Sequence, residues 1–189
     1  MRAHTREATT WGRIMQDISG FTPEEIAELR KLLDIERIRK VANLYSHYQD
    51  GRDFDGLASL YAEDAVCDWG PDGTWVGRAK IAAALRGSYV GRQPYDGLHV
   101  TTNHWIELTG PDSARSRSYL TDAVLIDKSG PMNHPGFPAN PILLYALYEN
   151  EYRRVDAEWQ ISRSVIHFLW SKRVTQEGFP DPMPASAIG

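Results

Sequence analysis

The chain has 189 residues, 42% of them hydrophobic and 24% charged, with a formal net charge of −4; this composition supports one ordinary buried core, with residues to spare for tails. That charge, with no run of like sign, lacks the field needed to hold a phosphate backbone, so nucleic acid is not an expected partner. The single cysteine, Cys67, excludes an internal disulfide, and without a Cys/His cluster no zinc spacing arises.

Residues 1–21 read as an N-terminal arm. No apolar stretch in the first twenty residues has signal-peptide length, and nothing later reaches membrane-spanning length, so a cytoplasmic protein with no membrane partner is expected. Thr22-Pro23-Glu24-Glu25 combines an N-cap, a proline at the first helical position and a capping-box glutamate. Apolar residues from Ile26 through Tyr48 then recur at helical spacing, so helix continues, with a break expected near Asp34, until Gly51 stops it. A shorter helix is expected over 53–62, with Phe54, Leu57, Leu60 and Tyr61 as its buried stripe. Residues 65–69 and 74–76 read as a hairpin, and 78–89 as a third helix.

After Gly97 the pattern changes to strands over 98–109, 114–127, 142–155 and 158–170, rich in β-branched and aromatic residues. Helices followed by an antiparallel run imply an α+β domain over 22–174, with helices on one face of a sheet. The Pro-rich segment 129–141, which carries His134, is long enough to cover a pocket. Residues 175–189 read as a tail that lies over a neighbour or stays loose.

Period-two geometry puts His99, Thr101, Asn103 and Trp105 on one strand face and His104 on the other, unless a bulge intervenes. The two histidines are therefore poor partners for one metal ion. Asp50 falls at the carboxyl end of the long helix, where unpaired carbonyls and the negative pole of the macrodipole make an acid uncomfortable without a cation. It reads either as a solvated acid before the glycine stop or as the acceptor for one ring nitrogen of His99, which would leave the other nitrogen as a base. Six Trp and nine Tyr suit either a thick core or a pocket for a flat apolar ligand. Tyr48, Tyr148 and Tyr152 are open between those two fates, and so is His167. No Gly-rich phosphate cradle, nucleophilic Ser or Cys motif or metal-ligand cluster occurs, which points away from cofactor chemistry.

The segments Tyr45 to Phe54, Leu60 to Ala65, His99 to Asn103, and Tyr148 to Asp156 with Trp159 resemble, in register, the SnoaL-like branch of the nuclear transport factor two-like superfamily. Within it the likeness is to the group of scytalone dehydratase, bile acid dehydratase and hexachlorocyclohexane dehydrochlorinase. The resemblance covers about residues 34–170. It implies a cone-shaped α+β barrel, its sheet wrapped around the long helix and enclosing a pocket, and a homodimer or homotrimer packed through outer sheet faces.

It also implies that His99 is the general base and Asp50 the residue that orients it, although Asp53 is close enough to compete. Tyr45 corresponds to a tyrosine that handles the leaving oxygen, and Arg154 to an arginine that stabilises developing charge, unless it forms a surface ion pair with Asp156 or Glu158. Trp69 stands where scytalone dehydratase has a catalytic tyrosine, and Tyr119 near its second histidine, so scytalone is not the expected substrate. Tyr48, Trp69, Asn103, Tyr119, Tyr148, Tyr152 and His167 complete the expected pocket.

The implied activity is a cofactor-independent lyase acting on a small hydrophobic, aromatic substrate, by dehydration or by formaldehyde-releasing C–C cleavage of a lignin-derived compound. Three rivals share the scaffold: a polyketide cyclase or isomerase, a non-catalytic small subunit of an aromatic-ring dioxygenase, and a ligand-binding module.

Overall fold

The capping box forms as the sequence requires: the Glu25 amide donates to the Thr22 hydroxyl at 3.2 Å and the Thr22 amide to the Glu25 carboxylate at 2.8 Å. Helix α1 (Pro23–Gly51) follows in the computed structural model, which describes residues 20–70, 73–90, 94–95, 97–124, 142–169 and 174–175. It runs without the break expected near Asp34. Most of the N-terminal arm, the 129–141 loop with His134, and all but the first residue of the tail lie outside the described residues.

Two compact units divide the chain, Met1–Glu36 and Arg37–Gly189. The first contains the amino-terminal turns of α1, which expose Leu29, Leu32 and Leu33. The second contains all other elements: α2 (Phe54–Ser59), β1 (Tyr61–Asp68), β2 (Thr74–Val76), α3 (Arg78–Ser88), β3 (Gly97–Gly110), β4 (Ser113–Val124), β5 (Ile142–Val155), β6 (Glu158–Phe168) and β7 (Val174–Thr175). The α+β order expected from the sequence is what the structure shows. The sheet runs β2-β1-β6-β5-β4-β3, with β7 on β5, and its ends do not meet. The neighbours are antiparallel except β1 and β6, which run parallel.

The second helix is shorter than 53–62. Asp53 caps it by accepting the Gly56 amide at 2.8 Å, and the Ile161 amide donates to the Leu60 carbonyl at 2.8 Å, so the chain passes to sheet pairing at Tyr61. Tyr61 and Ala62 are consecutive and both fully buried, the pattern of a strand covered on two sides rather than of a helical stripe.

The core of the second unit joins Ile38 and Tyr45 of α1 to Leu57, Tyr61, Cys67, Ile81, Leu85, Leu120, Ala146, Tyr148, Tyr152, Trp159 and Ile161. Among the described residues, no helix is long and apolar enough to cross a membrane.

The feature that most affects the site is a bulge in β3. The pairing passes from Thr102 opposite Tyr119 to Trp105 opposite Arg117, so two residues of β3 face one of β4. Asn103 absorbs the bend at φ 55°, in the left-handed region that asparagine tolerates better than most residues. Side-chain alternation inverts there: His99 is buried, whereas Trp105 is 49% exposed.

Leu57, with no exposed surface, is an anchor of this core. Leu57→Ala is expected to lower unfolding free energy by about 2–5 kcal/mol through lost burial and a cavity, whereas Leu33→Ala, at a position 55% exposed, stays within about 0.5 kcal/mol; urea denaturation followed by circular dichroism checks both.

Candidate active site

The apolar stripe of α1 changes character as it nears the end of the helix. Its buried residues are Ile38, Ala42, Tyr45, Ser46, Gln49 and Asp50, one face at helical spacing whose last three members are polar. A polar side chain on a buried face needs a partner, and the start of β3 supplies it.

Asp50 accepts from His99 twice over. Its carboxylate lies 2.6 Å from the ring Nδ1 and 3.1 and 3.2 Å from the main-chain nitrogen of the same residue. Both residues are 7% exposed. These contacts satisfy the carboxylate at the unfavourable end of the helix dipole. They also place the ring proton on Nδ1, so Nε2 presents its lone pair. Asp53 is occupied as the cap of α2, so the pairing left open in the sequence falls to Asp50.

Nε2 is surrounded as well. The Gln49 side-chain nitrogen lies 2.9 Å away and donates to it, and also donates to the Tyr89 hydroxyl at 2.5 Å. That hydroxyl is itself 3.4 Å from Nε2, and Asp122 Oδ2, from the residue directly opposite on β4, is at 3.8 Å. The Arg52 guanidinium lies over the Tyr89 ring at 4.0 Å, a cation–π contact that holds the ring. Sequence reasoning missed Gln49, Tyr89 and Asp122. A signal for Gln49 existed, since it lies four residues after Tyr45 on the buried stripe; Tyr89 and Asp122 became neighbours only through tertiary packing.

Along the sheet from His99 lies a narrow cleft with a free volume of about 10 Å³, lined by Ala42, Tyr45, Thr101, Ser118, Tyr148, Asn150 and Ser164. The Tyr45 hydroxyl and the Asn150 side-chain oxygen are buried there without a hydrogen-bond partner among the described residues. Burial is the main cause that pushes the phenols of Tyr45 and Tyr148 well above their ordinary range, so both stay protonated and able to donate. Their rings meet edge to face at 5.6 Å, which gives the cleft an aromatic wall with polar tips.

Other residues expected at the pocket lie elsewhere. The bulge turns Asn103 and Trp105 outward, and Tyr119, 51% exposed, points the same way; the three line a groove with Arg117, Leu147 and Leu169. His167 is exposed on the sheet and contacts Glu149 at 3.1 Å. Tyr152 is a core residue, bonded to Ser116 at 3.0 Å and to Asn150 at 3.3 Å.

Arg154 pairs with Asp112 at 3.0 Å and stacks over Trp159 at 4.5 Å. The neighbouring Arg153 is opposite Ser113 at the far end of β4 from Asp122, on the order of 30 Å away at the rise of a strand. Arg154 therefore does not join the pair, and its partner is neither of the acids near it in sequence. Tyr48 is half-buried against the core, as is Trp69, whose ring meets Trp75 edge-on at 5.5 Å. Among the described residues no three His, Cys, Asp or Glu side chains converge as a metal site.

A family model described as the SnoaL-like domain matches residues 30–165. No curated protein sequence matches the chain. Among solved structures, the hexachlorocyclohexane dehydrochlorinase LinA-type3 of Novosphingobium barchaimii LL02 aligns at TM-score 0.67 and 22% identity, over 83% of this chain and 99% of that one. An NTF2-like protein with a cystatin-like fold from Novosphingobium aromaticivorans aligns at TM-score 0.63 and 21% identity, over 81% and 93%. A proposed scytalone dehydratase of the same organism aligns at TM-score 0.62 and 20% identity, over 78% and 94%. At these identities the likeness establishes the fold.

Cys67 is fully buried, and burial raises its thiol to about 11. At pH 8 its thiolate fraction is then on the order of one in a thousand. A thiol-disulfide reagent is expected to leave the folded protein unlabelled over hours and to label it within minutes in denaturant; rapid labelling of the native state would contradict this placement.

Proposed function

Since the chain belongs to the SnoaL-like domain family, we propose that it is a cofactor-independent lyase in which His99, oriented by Asp50, removes a proton from a small hydrophobic, aromatic substrate. The observation that carries this reading is the buried 2.6 Å contact between His99 Nδ1 and Asp50, which leaves Nε2 to accept a proton, two residues along β3 from Thr101 of the cleft. The pair is held from both sides, since Asp50 also grips the His99 main chain. The base is thus positioned before substrate arrives, and that positioning supports catalysis.

In this reading the substrate displaces the Gln49 amide from Nε2 and presents its acidic C–H or O–H there. As the proton moves to Nε2, the imidazolium lies against the Asp50 carboxylate, which stabilises it. The Tyr45 phenol, protonated by virtue of its burial, donates to the oxygen on which negative charge develops. In a site shielded from water such a donor contributes more than it would in solvent. Tyr148 supplies an aromatic wall, while Thr101, Ser118, Asn150 and Ser164 offer polar contacts to a hydroxylated ring. Elimination of water and release of formaldehyde by C–C cleavage make the same first demand, a proton taken by a neutral imidazole. Self-association belongs to the proposal as well: Leu98, Val100, Trp105 and Tyr119 are exposed on β3 and β4, an apolar patch suited to a second copy.

The test incubates the purified protein with a panel of hydroxylated aromatics and follows products by mass. Loss of the mass of water marks dehydration, and loss of the mass of formaldehyde marks C–C cleavage. His99→Ala and Asp50→Asn are each expected to lower turnover by about 10²–10⁴, while Arg154→Ala leaves it unchanged. Turnover that survives removal of the imidazole would sink the proposal. For the assembly, Trp105→Glu is expected to shift the sedimentation coefficient to that of a single chain; an unchanged coefficient counts against this face.

A further inference from the structure

The left-handed turn that ends α1 falls on Arg52. Its amide donates to the Gln49 carbonyl at 3.2 Å, and the Asp53 amide donates to the Tyr48 carbonyl at 2.9 Å, the pattern of a helix terminus whose closing residue is most often glycine. Gly51 stands one position too early, and Arg52 takes the conformation instead, at φ 61°, against the steric cost of a Cβ there. A long cationic side chain is thus kept where the backbone favours none.

That side chain is only partly engaged. Nη1 donates to the Gln49 carbonyl at 2.5 Å, and one face of the guanidinium rests on the Tyr89 ring. Nε and Nη2 are buried with no hydrogen-bond partner among the described residues. These two nitrogens form the side-on edge of the guanidinium, whose parallel N–H bonds match the two oxygens of a carboxylate. The acids nearest in sequence are engaged elsewhere: Asp50 with His99, Asp53 with the Gly56 amide and Asp55 with Arg86. A buried cation with two unused donors is destabilising until an acceptor reaches it.

We propose that the side-on edge of Arg52 binds a carboxylate carried by the ligand, so that the site takes aromatic acids. One phenol ring lies between this edge and the base: Tyr89 meets Arg52 with its face and comes within 3.4 Å of His99 Nε2 with its hydroxyl. A ring-substituted benzoate has that span, with the acid group at one end and the reacting carbon at the other. Arg86, which stacks on Phe54 beside Tyr89, is paired with Asp55, so Arg52 offers a single charge, which suits a planar monoanion better than a phosphate dianion. That such a ligand is also the substrate rests on the lyase reading above; its binding does not.

Titration calorimetry at neutral pH compares 4-hydroxybenzoate with 4-hydroxybenzamide, alike in shape and different in charge. Wild type is expected to bind the acid about tenfold or more tightly, as a bidentate charge-assisted pair would over a neutral contact. Arg52→Lys keeps a charge at the helix end without the two-pronged edge, and is expected to bring the acid down to the affinity of the amide. In wild type the Arg52 Nε–H proton resonance moves downfield with the acid and stays in place with the amide, a readout that does not depend on the lysine variant folding. Equal affinity for the two probes, an acid preference that survives in Arg52→Lys, or an Nε–H resonance indifferent to the acid would overturn the carboxylate site and leave the His99 base untouched. Inorganic phosphate binding as tightly as the acid would overturn the choice of a carboxylate. Because the titration needs no turnover, acids that bind at Arg52 yet yield no product remove the lyase reading alone.

Discussion

A carboxylate buried in the last turn of a helix is the constraint around which the site is organised. Asp50 meets the negative end of the macrodipole and is nearly excluded from water, so the fold must bring it donors or the helix must end elsewhere. The donors come from one residue, His99, which gives both its ring N–H and its main-chain N–H. Because the two bonds fix a side chain and a strand backbone at once, they set the ring orientation and the position of β3 relative to the end of α1. The basic nitrogen is then left facing Gln49, Tyr89 and Asp122.

Much of this was legible in the sequence, for local reasons. The capping box, the apolar period of α1, the Gly51 stop and the alternating strands each depend on neighbours in the chain, and each formed. The pairing of Asp50 with His99 was within reach because a buried acid at a helix end calls for a cation, although the chain alone left Asp53 in competition until its role as a cap was seen. What the sequence concealed depends on register and on distant packing. One inserted residue in β3 reversed the faces beyond Thr102, which sent Asn103 and Trp105 outward. The parallel pairing of β1 with β6 joins residues about a hundred positions apart and leaves no local mark. Arg154 corresponds by resemblance to a charge-stabilising arginine, yet Asp112 and the Trp159 ring hold it at the other end of the sheet.

The cleft combines two kinds of surface. Tyr45 and Tyr148 offer ring faces and edges, and between them are small hydroxyl-bearing residues, Thr101, Ser118 and Ser164, with the amide of Asn150. Small polar residues keep donors and acceptors at its edge. Buried polar atoms without partners are destabilising, so the Tyr45 hydroxyl and the Asn150 oxygen mark where the fold accepts a loss of stability.

The contact between Asp50 and the His99 main chain has a consequence unrelated to proton transfer. β3 is the last strand of an open sheet, and such a border offers its amides to any extended chain that drifts by. The His99 amide is not on offer, because the carboxylate occupies it, and the bulge at Thr102–Trp105 breaks the straight row farther along. The acid that holds the imidazole therefore also closes part of the sheet's border to an added strand.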